Sequence, residues 1–208
     1  MNNIYRLIIF LPLFILGGCA PNVIDENKII QKIDNLDMNI FSIKGDKIYN
    51  IISPNSIYDK VKLELNLEKT TISIFDGKII KYIIKSDSSK LRDNNKVVEL
   101  TGNVELRTIN KENDLLYGDY LFWNIKDTKY ELMGNVRFEN KNIKLNSNKA
   151  VLDSGNIIEF FNPVKYIIKD DNDENKYEIN SENAYYNINT ESFSFSAKDK
   201  RVRSIIYF

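Results

Sequence analysis

Three six-residue segments recur in register along this chain: Glu99-Leu100-Thr101-Gly102-Asn103-Val104, Glu131-Leu132-Met133-Gly134-Asn135-Val136 and Glu159-Phe160-Phe161-Asn162-Pro163-Val164, with valines 32 and then 28 residues apart. A second element alternates with them: Ile84…Ser86…Ser89…Leu91, Leu115…Tyr117…Tyr120…Phe122, Leu145…Ser147…Ala150…Leu152 and Ile179…Ser181…Ala184…Tyr186. Each unit is therefore two strands in about thirty residues, a period that marks repeat architectures. Such a unit, apolar on one face, buries that face only by stacking on its neighbours and folding over.

Side-chain parity supports the strand reading. In the Gly-Asn-Val segments the even positions Val98, Leu100, Val104 and Leu106, then Tyr130, Leu132, Val136 and Phe138, then Ile158, Phe160, Val164 and Tyr166 are apolar. Glu99, Asn103, Glu105, Lys129, Glu131, Asn135 and Arg137 alternate with them, so one face looks inward and the other meets water. Val61-Lys62-Leu63-Glu64-Leu65-Asn66-Leu67-Glu68 alternates without a break and reads as a strand. Turn residues punctuate the chain at Asp76-Gly77, Asp93-Asn94-Asn95, Ser154-Gly155-Asn156 and Asp171-Asn172-Asp173. The fold class is all-β, a roll of repeated two-strand units with an apolar interior. In the second element the apolar parity switches between Ser147 and Ala150 and between Ser181 and Ala184, which predicts a bulge there in every unit. Gly102 and Gly134 inside strands mark a bend or a close approach. Periodicity leaves two interiors open, a filled core or a groove for an apolar ligand.

Composition narrows the chemistry. The 208 residues contain no His and one Cys, which removes the usual general base, the Ser-His-Asp triad, Cys-His pairs, His-containing zinc sites and an internal disulfide framework. Lys and Arg number 29 against 29 Asp and Glu, interspersed along the chain, so no basic surface for a phosphate backbone is expected and nucleic acid is excluded as a partner. No phosphate-cradling glycine loop is present, so ATP hydrolysis would belong to a partner, and no metal or other cofactor is expected. Paired carboxylates remain as a route to hydrolysis. Glu99, Glu131 and Glu159 recur at one repeat position, but on the polar parity, where a row of exposed cross-strand partners explains them better. The chain does not read as an enzyme. Trp123, the only Trp, reads by parity as opposite to Phe122, in a packed or rim position.

Residues 1–18 carry a polar start with Arg6, an apolar run from Leu7 to Leu16 and Gly17-Gly18 before Cys19. The run is too short for a transmembrane helix, which needs about 20 residues, and Pro12 interrupts it, so it reads as a cleaved export signal. Leu16-Gly17-Gly18-Cys19 resembles the bacterial lipobox, in which the Cys receives a diacylglycerol. Cys19 is then a membrane anchor. Residues 19–38 read as a lipidated tether, with a short amphipathic helix as the alternative, and 39–208 as the folded domain. Ala20 leaves either membrane open as the address.

The Glu-Leu/Phe-x-Gly/Asn-Asn/Pro-Val strands alternating with Ser-x-x-Ala-x-Tyr/Leu strands resemble the periplasmic bridge proteins of lipopolysaccharide export, the LptC/LptA/OstA-like family, over roughly 39–208. Single-domain length, one N-terminal attachment and no Cys in the folded part look most like the LptC branch, although that branch commonly carries an uncleaved transmembrane helix. The resemblance implies a twisted β-jellyroll that shields the acyl chains of lipopolysaccharide, with Leu100, Val104, Leu132, Val136, Phe138, Phe160, Val164 and Tyr186 as candidate chain contacts. It also implies docking by strand addition at two open edges. The segment around Phe41 and Ile43 would meet the inner-membrane ABC exporter, and the segment around Ile205 and Tyr207 the next periplasmic bridge protein. The alternative is a structural or interaction β-lipoprotein of the cell envelope with no lipid ligand.

Overall fold

Eight long strands open the fold, and each runs until turn chemistry stops it. The computed structural model describes residues 30–93, 96–109, 114–153, 156–170, 172 and 174–208. In chain order the strands are β1 (Ile30–Phe41), β2 (Lys47–Asp59), β3 (Glu64–Asp76), β4 (Ile79–Arg92), β5 (Val97–Thr108), β6 (Leu115–Asn124), β7 (Lys129–Asn140) and β8 (Ile143–Leu152). Six short ones follow: β9 (Ile157–Phe161), β10 (Val164–Lys169), β11 (Asn175–Ser181), β12 (Asn183–Asn187), β13 (Ser192–Ser196) and β14 (Arg203–Ile206). All pairings are antiparallel, in one curled sheet.

Asx chemistry closes several turns. The Asp59 carboxylate accepts the N–H groups of Val61 and Lys62, and Asn124 and Asn187 each accept two backbone N–H groups just beyond their strands. The Asp59 turn overrides the unbroken alternation read across 61–68: Val61 and Leu63 are exposed in the turn, and the strand begins at Glu64. The expected tether is shorter as well, because Ile30–Met38 already belongs to β1.

A row of kinks folds the sheet into two walls. The extra residue lies on the Gly-Asn strands rather than on the Ser strands where it was expected. Gly102 and Asn103 face Asp119 alone, between the pairs Thr101↔Tyr120 and Val104↔Gly118. Gly134 and Asn135 face Asn148 alone, between Met133↔Lys149 and Val136↔Ser147. Both residues of each Gly-Asn pair have positive φ, at 77° and 44° in β5 and 76° and 47° in β7. Gly takes that region freely and Asn tolerates it. The Asn side chains then donate to Asp87 and Asp119 across the kink, each at 2.7 Å. On the partner strands the parity does switch as predicted, and the hydroxyls of Ser86, Ser147 and Ser181 each donate to the carbonyl two residues on, at 2.9, 3.1 and 3.0 Å. That bond satisfies an acceptor the kink takes from the ladder.

Beyond β8 the kinks become breaks. β8 pairs with β10 through its first half and with β9 through its second, the two being separated by the cis Asn162-Pro163 bond. Only Glu182 separates β11 from β12. The first wall therefore ends in β10, β11 and β14, and the second in β9, β12 and β13.

The walls face each other across an apolar interior. Tyr49 on the first wall meets Trp123 on the second with ring centroids 5.1 Å apart, and Tyr82 meets Tyr130 at 6.3 Å. Phe138 meets Phe160, Tyr186 and Phe193 at 6.1, 4.9 and 5.5 Å. Opposite the hinge, the strand tips of the two walls meet along a seam. Lys81 Nζ donates to Asn156 Oδ1 across it at 2.9 Å, and Tyr186 Oη to Asp114 Oδ2 at 2.8 Å.

Candidate functional site

The interior comes first, because its residue types and its two-walled shape decide what it can hold. Of the eight sequence-derived chain contacts, Val104, Val136, Phe138 and Val164 lie on the first wall and Leu100, Leu132, Phe160 and Tyr186 on the second. All are 0–2% exposed. Phe138, Phe160 and Tyr186 meet in one aromatic cluster. The void bounded by Leu106, Phe138, Ile158 and Tyr186 is only about 10 Å³, so at this level the interior is filled by side chains.

Further along the seam the interior opens. A pocket of about 250 Å³ lies between Ile48, Ile74, Phe75 and Tyr82 of the first wall and Trp123, Ile125, Tyr130 and Leu152 of the second. Asp76, Lys81, Thr128, Asp153 and Asn156 complete its rim. Its volume falls just below the range of about 300–1,000 Å³ usual for small-molecule sites, and its make-up, apolar walls with a few polar groups at the mouth, is that of such sites. Burial pushes the Tyr49 and Tyr82 phenols up to about 12 and that of Tyr130 higher still. The three phenols stay neutral; Tyr82 and Tyr130 line the pocket, and Tyr49 packs edge-on against Trp123.

The edges of the sheet differ from the expectation at one end. Phe41 closes β1, and Ser42–Asp46 is a turn fastened by the Ser42 N–H on the Asp46 carbonyl at 2.7 Å. Ile43 therefore projects fully exposed from a turn rather than from a strand, and among the described residues the edge left unpaired at this end is that of β1. At the other end Ile205 lies in β14, which among the described residues pairs with β11 alone, and Tyr207 follows it; both are exposed. Cys19 lies outside the described residues.

The repeated glutamates occupy the outer face. Glu99 pairs with Arg92, and Glu131 with Lys129 and Lys149 at 2.6 and 2.7 Å, which holds its carboxyl below the usual range. Glu159 sits between Val151 and Tyr185 on neighbouring strands.

A profile of the family described as "Lipopolysaccharide-assembly, LptC-related" matches residues 17–131, more than half of the chain. The chain belongs to the LptC family. The match runs from just before Cys19 through β1 to β6 and into β7. No curated protein matches the chain. As a member of the LptC family it takes part in lipopolysaccharide transport, in a family of bridge components associated with the inner membrane and periplasm rather than of enzymes.

For this LptC-family chain the sequence misplaced the buried face of one strand, β6. The buried set of β6 is Leu116, Leu121 and Trp123, one position off the Leu115, Tyr117, Tyr120 and Phe122 aligned above, and Trp123 is 2% exposed. Leu115-Leu116-Tyr117 and Tyr120-Leu121-Phe122-Trp123 are apolar on both parities, so periodicity cannot choose a face. The signal available was Gly118-Asp119, which stands where other units have Ser86-Asp87 and Ser147-Asn148. A Cβ at Gly118 would come within 2.7 Å of the Leu132 side chain, so this kink position takes Gly where the others take Ser.

Proposed function

We propose that this chain is the lipid-anchored LptC-type component of lipopolysaccharide export. Cys19 carries the acyl anchor that holds the folded domain, from β1 onward, on the periplasmic face, with the inner membrane favoured by family. The β-jellyroll shields lipopolysaccharide acyl chains between its walls and hands them from the inner-membrane ABC exporter to the next bridge protein. The observation that carries the reading is the seam. The two walls share a hinge, but at their tips they meet through side chains and not through a strand ladder, so parting them sacrifices side-chain contacts and no β-pairing. A tight barrel would lack that option, since closure removes its edges. A two- or three-chain lipid at Cys19 would hold the domain stably, at about 0.8 kcal/mol per buried methylene.

A second reading, an envelope β-lipoprotein without a lipid ligand, is favoured by the full burial of all eight candidate contacts. Photo-crosslinking in membranes separates the two, with a benzophenone side chain at Val136 or Phe160 and, separately, at Ile43 and Tyr207. Lipopolysaccharide adducts at the interior positions and protein adducts at the edges are expected. Folded protein that crosslinks only to itself at every position refutes the conduit.

A further inference from the structure

The three breaks in the sheet open onto one cavity. Asn162 and Pro163 between β9 and β10, Glu182 between β11 and β12, and 199–202 between β13 and β14 all line a space of about 960 Å³ beside the last strand. At the Gly-Asn kinks the strands run on through the hinge, whereas here each pass is interrupted, and the longest interruption, 197–202, crosses from the second wall to the first. That crossing is held at both ends. The Glu182 carboxylate accepts the Lys198 N–H at 2.6 Å, and β14 lays Arg203 opposite Asn180. The lining is polar, with Pro163, Val164 and Val202 its apolar members, and Lys200, Arg201 and Arg203, all exposed, bring three positive charges to it. Elsewhere on the outer face of the first wall the cations are paired, Arg137 with Glu139 and Lys165 with Glu178, each at 3.1 Å. Among the described residues none of the three cations at the cavity has an ion pair, although Asp199 and Glu182 line the same space.

We propose that this hinge cavity binds a phosphorylated sugar, with Arg201 and Arg203 on the phosphate and Asn162, Asn180 and Asp199 on the hydroxyls around it. A guanidinium presents a planar fork of donors that matches a phosphate in bidentate fashion, and a charge-assisted bond of that kind is about twice as strong as a neutral one. Amide side chains both donate and accept, and a carboxylate accepts, which is what ring hydroxyls need. Asp199 and Glu182 weigh against a bare anion, and Glu182 is already engaged by the Lys198 N–H. The volume, near the top of the range of about 300–1,000 Å³ for small-molecule sites, is too large for one inorganic phosphate and fits a sugar unit with its substituent. The inference rests on the lipopolysaccharide-export reading and deepens it. It gives the polar part of the cargo its own site, apart from the apolar interior and next to the β14 edge at which the following bridge protein would dock.

The test uses ligands without acyl chains, so that the interior plays no part in it. Detergent-solubilised full chain is titrated calorimetrically with the phosphorylated oligosaccharide left when lipopolysaccharide is fully deacylated, with the same oligosaccharide after removal of its phosphates, and with glycerophosphoglycerol, the deacylated headgroup of phosphatidylglycerol. The phosphorylated oligosaccharide is expected to bind, and to bind at least tenfold more weakly to Arg201→Gln and to Arg203→Gln; tenfold corresponds to about 1.4 kcal/mol, the low end for a hydrogen bond to a charged group. Loss of the phosphates should weaken binding by at least as much, and Lys60→Gln, an exposed cation in the turn after β2, should change nothing. Both arginines are exposed, so their variants keep the fold, which circular dichroism verifies. Binding that survives loss of the phosphates, equal binding of glycerophosphoglycerol, indifference to both arginines, or no binding at all overturns the site. Interior adducts at Phe160 without oligosaccharide binding would leave the conduit standing without this site, and oligosaccharide binding without those adducts would do the reverse.

Discussion

Truncating Phe138 to Ala decides whether the interior is a filled core or a vacant groove. Phe138 is 1% exposed and touches three aromatic rings of the opposite wall, so its removal takes contacts from both walls at once. Nothing nearby fills the gap, since the adjoining void is about 10 Å³ and its lining already belongs to strands fixed by ladders. Lost transfer and a cavity together cost about 3–5 kcal/mol for a buried Phe, with the edge-to-face ring pairs within that figure. A domain of this size has a urea m-value toward the upper part of the range of about 1–3 kcal/mol per M, so the midpoint should fall by about 1–2 M. Urea unfolding followed by tryptophan fluorescence and by circular dichroism measures it, with Phe161→Ala as control: that neighbouring ring points outward, under the Lys149 ammonium. The control should cost less than about 1 kcal/mol, as a surface change does. A Phe138→Ala midpoint within about 0.4 M of the parent at unchanged m would refute the filled interior.

Further outcomes follow from the kinks, the buried phenols and the outer ion pairs. Gly134→Ala places a Cβ 2.6 Å from Asp119 Oδ2 at a φ of 76°, and should destabilise by about 2–4 kcal/mol through left-handed strain and a displaced Asn135–Asp119 bond; a neutral result in the same urea assay would remove the kink from the list of what shapes the walls. Tyr49 and Tyr82, pushed up to about 12 in the fold, contribute stability that is complete below their ordinary value of about 10 and is lost as pH rises toward about 12. A phenolate absorbance titration should therefore show a late group that ionises together with the loss of circular dichroism, and a single transition near the ordinary value in folded protein would contradict it. Glu131, held below the usual carboxylate range by Lys129 and Lys149, contributes above about pH 4.3 and loses that contribution as pH falls through its depressed value. Glu131→Gln should cost at most about 1 kcal/mol at neutral pH because the pair is solvent-screened, with the difference closing in acid and in high salt.

What could be read from the sequence divides along a physical line. Strand identity and the buried face of β5 and β7 were legible because each alternates cleanly, apolar on one parity and mostly polar on the other, and β8 was legible in two halves on either side of its parity switch. β6 was not, since runs apolar on both parities carry no phase. Asp59 shows a second limit: alternation in Val61–Leu63 is real, but two side chain to backbone hydrogen bonds of the preceding Asp outweigh it. The location of the extra residue was invisible for a different reason. A parity switch in one strand and an insertion in its partner leave the same pattern of pairs, and only Gly followed by Asn, both at positive φ, says which strand carries it. The seam had no sequence signal, because Lys81–Asn156 and Asp114–Tyr186 join residues about seventy positions apart on opposite walls.

The kink row has a consequence for how such domains could be chained. Because each long strand crosses from one wall to the other, the sheet is a series of passes in alternating sense, and β9–β10, β11–β12 and β13–β14 continue that series in broken form. The number of passes is odd. β1 and the β13–β14 pass therefore travel the same way, from the second wall to the first, at opposite rims. Two such domains set end to end in the same orientation would meet rim to rim as a parallel ladder, whereas every pairing inside them is antiparallel. One rim is a single twelve-residue strand and the other is two short ones on separate walls, so the joint is heterologous and a chain of them has a built-in polarity, one end unlike the other.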